Sequence, residues 1–402
     1  MVERKLVITE YKHGILTFLA ENNQFLSVQF CEKQVDAKIG DIFVAKVSHI
    51  VKNIQSAFIT YQKEKKGYLP LSKNAAPVLL NRKYDGRILE GDEILVQLEK
   101  EAIRTKEPVF TTNLSLSGKY CVITSANQAK AVSAKLNKEQ KEILADCIPR
   151  ECPYGVVIRT NAAELIESEQ LSLVQEEINV LSAKMTQLFT QGIHRTCYSK
   201  VYEEIPEYVK MLRDEPQNAF QTVVTDVPYI FEQVKAYFSA YQPDFLEKLN
   251  LYEDSQYSLS KLYRVETRMK ELLDRKVWLK SGAYLVIEQT EAMYVIDVNS
   301  GKNVSKKNSA EVMFQINQEA AQEIMRQIKL RNLSGMILVD FINMESKEQE
   351  EQLLEELRIL AKKDPVKTTI VDITALGLLE ITRKKTKKSL KQQLSVDFSE
   401  TE

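Results

Sequence analysis

From Ala283 onward, apolar runs of strand length alternate with amphipathic helical stretches, and no other feature of the chain restricts its fold as much. The strand runs are AYLVIEQ, MYVIDVN, GMILVDFI and TTIVDIT. Between the later ones lie 309–330, with Ile316, Ala320, Ile324 and Ile328 on one face, and 347–363, with Leu353, Leu357 and Leu360. Strands separated by helices of this length predict an α/β layer fold for this part of the chain.

Two of these strands break the apolar rule in the same way. YVID ends in Asp297 and MILVD ends in Asp340, although an unpaired charge beside a buried strand is costly. If the two strands are neighbours, their carboxylates converge at one sheet edge, where open α/β sheets bind ligands. With the amide oxygen of Asn299 nearby, the donors are hard oxygens that suit Mg²⁺, which takes one or two carboxylates and leaves other positions to water and phosphates. Such an ion can activate water or clamp a phosphodiester for in-line attack. The plainer alternative is that each aspartate caps a helix or opens a turn. A carboxylate pair also serves glycoside hydrolysis, but one tryptophan, Trp278, provides little for stacking sugars.

At 402 residues the chain exceeds one ordinary core, and about two to four compact units are expected. With 44% hydrophobic and 28% charged residues and a net charge of −1, it reads as globular rather than as a broadly basic nucleic-acid binder. No apolar run is long enough to span a membrane, and MVERKLVITEYKHG lacks the apolar core of a signal peptide; a cytoplasmic location is expected. The five cysteines form no C-x-x-C pair and the three histidines are far apart, so free thiols and no zinc site are expected.

Upstream, residues 1–36 hold the strand-like runs KLVITEY, ILTFLA and FLSVQF. From Gly40 to Ser117 come GDIFVAKVSHIV, SAFITYQ, GYLPLS, GDEILVQLEKE and FTTNLSLSG, a spacing that predicts a small OB-type β-barrel. Within it, Phe58 and Tyr68 flank Lys63, Lys65 and Lys66, with Lys106 further on. Aromatics interleaved with lysines hold single strands by stacking and phosphate attraction, although Phe and Tyr in strands are as readily core residues. Strands KYCVIT and YGVVIRT follow, with helical segments near 137–147 and 166–190. In the second of these, Leu171, Val174, Ile178, Leu181, Met185 and Leu188 form one apolar face. Arg159 and Thr160 stand just past a strand, a fork beside a hydroxyl that can clamp phosphate. RVETRMKELLDRKVW reads as a helix. TRKKTKKSLKQ, residues 382–392, places Arg383, Lys384, Lys385, Lys387, Lys388 and Lys391 together without an acid; it is either a solvated face or a phosphate-backbone contact.

Taken in order, YLVIEQTEAMYVIDVNSGKN, NLSGMILVDFINM and ITALGLLEITRKK resemble successive signature blocks of the bacterial ribonuclease E/G family of single-strand-specific endoribonucleases. SAFITY with KKGYLPL resembles that family's OB RNA-binding module, and VVIRT its 5′-sensor block. The resemblance implies an α+β and α/β multi-subdomain chain. In it an RNase H-like subdomain is split between 1–36 and 208–270, around an OB module at 37–117 and a 5′-sensor at 118–207. A DNase-I-like catalytic subdomain follows at 271–392, with a tail at 393–402.

The same resemblance implies that Asp297 and Asp340 bind magnesium and that Asn299 orients the site. It also implies that Arg159, Thr160, Gly118 and Val122 bind a 5′-monophosphate, and that Phe58, Tyr68 and Lys106 hold RNA. The implied activity is Mg²⁺-dependent cleavage of single-stranded RNA, leaving 5′-phosphate and 3′-hydroxyl ends, in messenger decay or ribosomal RNA processing. A C-P-x-C block does not follow the basic run, so no zinc-linked dimer is expected and the oligomeric state stays open. Tyr68 stands where the family often has phenylalanine, and Asn343 where it often has aspartate. The alternative function is a non-catalytic RNA-binding or regulatory relative.

Overall fold

The computed structural model describes residues 3–22, 24–33, 36–71, 77–102, 106–126, 128–216, 219–301, 310–344 and 346–395. The chain divides into two compact units, Gln34–Gln217 and the pair of segments Met1–Lys33 with Asn218–Glu402. The expected tail beyond residue 395, and Lys302 and Asn303 of the VNSGKN stretch, lie outside the described residues.

In Gln34–Gln217, five strands close on themselves as an OB-like barrel. Ile42–Val51, Ser56–Gln62, Lys65–Pro70, Val109–Thr111 and Glu93–Lys100 pair in that order, and the last pairs back to the first. Alternation makes the core: Ala57, Ile59 and Tyr61 point inward with Phe43, Val96 and Phe110, while Phe58 and Thr60 take the other face. Gly67 is required by close approach, since a Cβ there would sit 2.5 Å from the Phe110 ring. The fifth run expected in the barrel divides: Val109–Thr111 closes it, but Ser115–Ser117 joins a separate sheet with Cys121–Thr124, Gly155–Ile158 and Lys130–Val132. The turn at Thr112 and Asn113 separates the two, with Asn113 N–H bonded to the Thr111 hydroxyl. Helix Ser172–Gly192 backs the second sheet through Val174, Ile178, Leu181, Met185 and Leu188.

The other unit holds two sheets. One joins distant segments: Gln24–Glu32, Gly14–Glu21 and Arg4–Tyr11 form an antiparallel meander, and Thr222–Thr225 then Leu249–Leu251 add in parallel. The other runs Lys276–Trp278, Tyr284–Gln289, Met293–Asn299, Gly335–Asp340, Leu378–Arg383 and Thr368–Ile373. Here only Met293–Asn299 and Gly335–Asp340 are parallel. Parallel neighbours need a crossover, and helix Ala310–Leu330 supplies it. Its Phe314, Ala320, Ile324 and Ile328 and the Leu353, Leu354 and Leu357 of Lys347–Lys362 bury against the sheet.

Two further readings change. The helix expected through RVETRMKELLDRKVW stops at Leu273 because Asp274 turns to extended backbone (ψ 146°), and Lys276–Trp278 becomes an edge strand. Leu378–Arg383 inserts between Gly335–Asp340 and Thr368–Ile373 as an antiparallel strand, so the basic run begins inside the sheet. Among the described residues, no helix is long and apolar enough to cross a membrane.

Candidate active site

Met293–Asn299 alternates strictly. Tyr294, Ile296 and Val298 are buried in the core, while Val295, Asp297 and Asn299 share the opposite, half-exposed face. Asp297 and Asp340 are register partners on the two parallel strands. Both carboxylates therefore reach the carboxyl edge of the sheet side by side. Asn299, two residues on and on the same face, donates from Nδ2 to Asp297 Oδ2 at 2.7 Å. Asp297 is half-buried and Asp340 exposed. Among the described residues neither carboxylate has a Lys, Arg or His partner.

The surroundings hold this edge in place. Gly301 has φ +70°, and a Cβ there would meet the Gly282 carbonyl oxygen at 2.4 Å, so the turn after Asn299 admits only glycine. Beyond Asp340, Ile342 is clamped at both backbone atoms by buried Asn317: its N–H reaches Oδ1 at 3.1 Å and its carbonyl accepts from Nδ2 at 2.7 Å. Sequence reading missed Asn317, although an asparagine inside the apolar face of Ala310–Leu330 was a readable signal. Asn343 is exposed.

In the barrel, Phe58 and Tyr68 are cross-strand partners, with ring centroids 6.0 Å apart and edge-to-face at 70°. Both are partly exposed, and the Tyr68 hydroxyl lies 2.5 Å from Ser56 Oγ. The Tyr68 N–H bonds the Pro108 carbonyl at 2.8 Å, which brings the segment after exposed Lys106 alongside. Lys63, Lys65 and Lys66 are exposed, with Lys65 paired to Asp36.

The second sheet gathers Gly118, Val122, Arg159 and Thr160 around one hairpin. Val122 faces Ser117 and Val157 across its two neighbours, and the Arg159 N–H bonds the Tyr120 carbonyl. Arg159 Nη1 donates to the Gly118 carbonyl and to Asp214 Oδ1, each at 2.7 Å. Thr160 Oγ1 lies 3.0 Å from Ser133 Oγ. Asp214 also accepts from Arg213 Nε at 2.7 Å. Burial opposes its charge, but hydrogen bonds from Arg213 and then Arg159 outweigh burial and hold the Asp214 carboxyl below its ordinary range. Glu177 fills a second anion position, accepting the N–H groups of Lys119, Tyr120 and Cys121 at 2.7, 2.7 and 2.8 Å. A Cβ on Gly118 would strike that carboxylate at 2.2 Å. Asp214 and Glu177 were not among the sequence candidates, since nothing in spacing ties them to Arg159.

The sequence model of the Ribonuclease E/G family matches residues 115–386, which contain Asp297, Asp340, Asn299 and the Arg159 hairpin. The chain belongs to the Ribonuclease E/G family. It is 31% identical over 369 residues to Ribonuclease G of Haemophilus influenzae, covering 89% of this chain and 74% of that one. Ribonuclease G of Escherichia coli K12 is 30% identical with the same coverage. Ribonuclease E of Synechocystis is 32% identical over 392 residues, 95% of this chain and 57% of that protein.

For this Ribonuclease E/G chain, the donor set at the acid edge fits a hard divalent cation. Two carboxylates and an amide oxygen, without thiol or imidazole, match a magnesium-type ion that keeps most positions for water and phosphate. Among the described residues no cluster of three or more His, Cys, Asp or Glu side chains supplies a fuller metal cage.

Proposed function

We propose that the protein is a Mg²⁺-dependent endoribonuclease that cleaves single-stranded RNA, favours 5′-monophosphorylated ends, and leaves 5′-phosphate and 3′-hydroxyl products. Membership of the Ribonuclease E/G family supports the activity. The observation that carries the site is the register pairing of Asp297 with Asp340, without a cationic partner for either among the described residues. Asp297 and Asp340 would hold the magnesium ion, which would supply positive charge to acidify water and to offset the charge of the phosphodiester.

The chain's own residues prepare the edge for that chemistry. Asn299 fixes the rotamer of Asp297, Asn317 holds the backbone beyond Asp340, and Gly301 takes the positive φ that the turn after Asn299 requires. Phe58 and Tyr68 offer ring faces and edges to unstacked bases, and Lys106 offers charge to the backbone. Arg159 still has guanidinium hydrogens beyond those given to Asp214 and Gly118, so it and Thr160 would meet a 5′-phosphate in competition with Asp214.

In this reading the meander with its two parallel additions is the RNase H-like subdomain. The barrel is the RNA-holding module, the second sheet the 5′-sensor, and the six-stranded sheet the DNase-I-like catalytic subdomain. The setting would be messenger decay or ribosomal RNA processing in the cytoplasm.

The test is cleavage of a short 5′-monophosphorylated, A/U-rich RNA with and without Mg²⁺, by the wild type and by Asp297→Asn and Asp340→Asn. Loss of cleavage in both folded variants is expected. Retained cutting in both overturns the assignment, and tight RNA binding with no cutting by the wild type favours a non-catalytic relative.

A further inference from the structure

The opposite edge of the catalytic sheet carries a feature that cleavage does not use. At the amino ends of Met293–Asn299 and Gly335–Asp340 lies a cavity of about 320 Å³. Arg275, Arg331 and Lys391 line it, with Glu288 as its one carboxylate among the described residues. Ile287, Tyr294 and Leu333 form an apolar wall. The two strands run away from this cavity toward Asp297 and Asp340, so it is separate from the acid edge.

Arg331 is the unusual member. It is 7% exposed, and its guanidinium donates from Nε to Gln327 Oε1 at 2.6 Å and from Nη1 to the Asp274 carbonyl at 2.7 Å. Both partners are neutral. The buried Nη2 has no hydrogen-bond partner among the described residues. Burial pushes the Arg331 group down to about 10, outweighing the opposing fields of Asp274 and Glu323. Buried cations are ordinarily paired, and buried N–H groups ordinarily bonded. Arg275 does pair with Glu288, but both are exposed and such pairs yield readily to a competing ligand.

The site is anchored rather than incidental. The Leu390 N–H bonds the Arg331 carbonyl at 2.9 Å, and Asn332 Nδ2 bonds the Lys388 carbonyl at 2.9 Å, fixing the turn that carries Arg331 to the segment that carries Lys391. This also divides the basic run. Arg383 is buried and bonded to Asp364 at 2.8 Å and Asn332 at 2.7 Å, so it is structural. Lys391 instead lines the cavity.

We infer that this cavity is a second phosphate site, shaped for a phosphorylated ligand of mononucleotide size. Three cations around one displaceable carboxylate select a dianion, and the exposed guanidinium fork of Arg275 matches phosphate oxygens. The volume and the apolar wall exceed what inorganic phosphate fills and suit a nucleoside monophosphate, free or as the end of an RNA.

The test is calorimetric titration of the full chain, at constant ionic strength, with inorganic phosphate, a nucleoside 5′-monophosphate, the parent nucleoside and a short RNA. Each is run on the wild type, on an Arg159→Ala, Asp297→Asn double variant that removes the other candidate phosphate groups, and on Arg275→Ala and Lys391→Ala. Saturable binding of the monophosphate is expected, roughly tenfold tighter than for the nucleoside or inorganic phosphate. It should persist in the double variant and weaken roughly tenfold in the Arg275 and Lys391 variants, which alter exposed side chains. Arg331→Lys should also weaken it; should that variant fail to fold, the two surface variants decide. RNA binding that weakens in the Arg275 and Lys391 variants identifies an RNA end as the source, and RNA binding indifferent to them identifies the free nucleotide. No saturable binding in the double variant, or binding indifferent to Arg275→Ala and Lys391→Ala, overturns the site. Equal affinity for inorganic phosphate and the monophosphate overturns its size.

Discussion

The acid edge at Asp297 and the hairpin at Arg159 are built from similar residues but stand in opposite electrostatic states. At the acid edge two carboxylates lie side by side and, among the described residues, only Asn299 is bonded to one of them. At the hairpin every strong group is answered: Arg159 by Asp214 and Gly118, Asp214 by two arginines, and Glu177 by three amides. Adjacent like charges raise the free energy of the folded chain unless something external offsets them. An answered charge instead holds the fold together, and an incoming ligand must displace its partner. In the proposed function the difference separates a cation site from one whose charges the chain itself answers.

The comparison predicts where each region fails. Asp297→Asn and Asp340→Asn should each cut the cleavage rate by about 1,000-fold, roughly 4 kcal/mol of barrier, in a single-turnover assay, with thermal stability unchanged or slightly raised. A clear fall in melting temperature in either variant would break the comparison, because the pair would then be structural. At the hairpin the order reverses. Glu177→Ala strands three N–H groups and should cost on the order of 3 kcal/mol in chemical denaturation. Asn299→Ala returns to the acid edge with a smaller effect. Losing one rotamer-fixing bond should slow cleavage about tenfold, or roughly 1.4 kcal/mol, and raise the Mg²⁺ concentration needed for half-maximal rate.

What the sequence disclosed and withheld follows from the range of the interactions. The acid edge was legible because its signal is local: a period-two strand places Ile296 and Val298 in the core and Asp297 opposite, and Met-Ile-Leu-Val-Asp repeats the form. The barrel was legible from short alternating runs between turns, although the separation of Val109–Thr111 from Ser115–Ser117 depended on a two-residue turn. Pairings across long separations left no local trace. Asp214 reaches Arg159 from 55 residues away and Glu177 reaches Tyr120 from 57. Arg383 looked like its lysine neighbours in a basic run, yet it closes a buried pair with Asp364. Strand Leu378–Arg383 was obscured by the basic residues that follow it.

The smallest expected effect is also the most discriminating, because it asks whether the hairpin's internal partner competes with a ligand. Asp214 is held below its ordinary range, with burial opposing the shift and the two arginines overcoming it. A carboxyl depressed in the folded state adds stability above its unfolded value, near 3.9, and that contribution is lost as pH falls through the folded value. Asp214→Asn should therefore be less stable than wild type at neutral pH, with the gap closing as pH drops below about 4. At neutral pH the same change leaves Arg159 bonded to the Gly118 carbonyl and free of its carboxylate. If the hairpin senses 5′-ends, the cleavage ratio of 5′-monophosphorylated to 5′-hydroxyl RNA should rise about threefold. A ratio that stays fixed while stability follows the predicted pH course would make the Arg159–Asp214 pair a brace and nothing more.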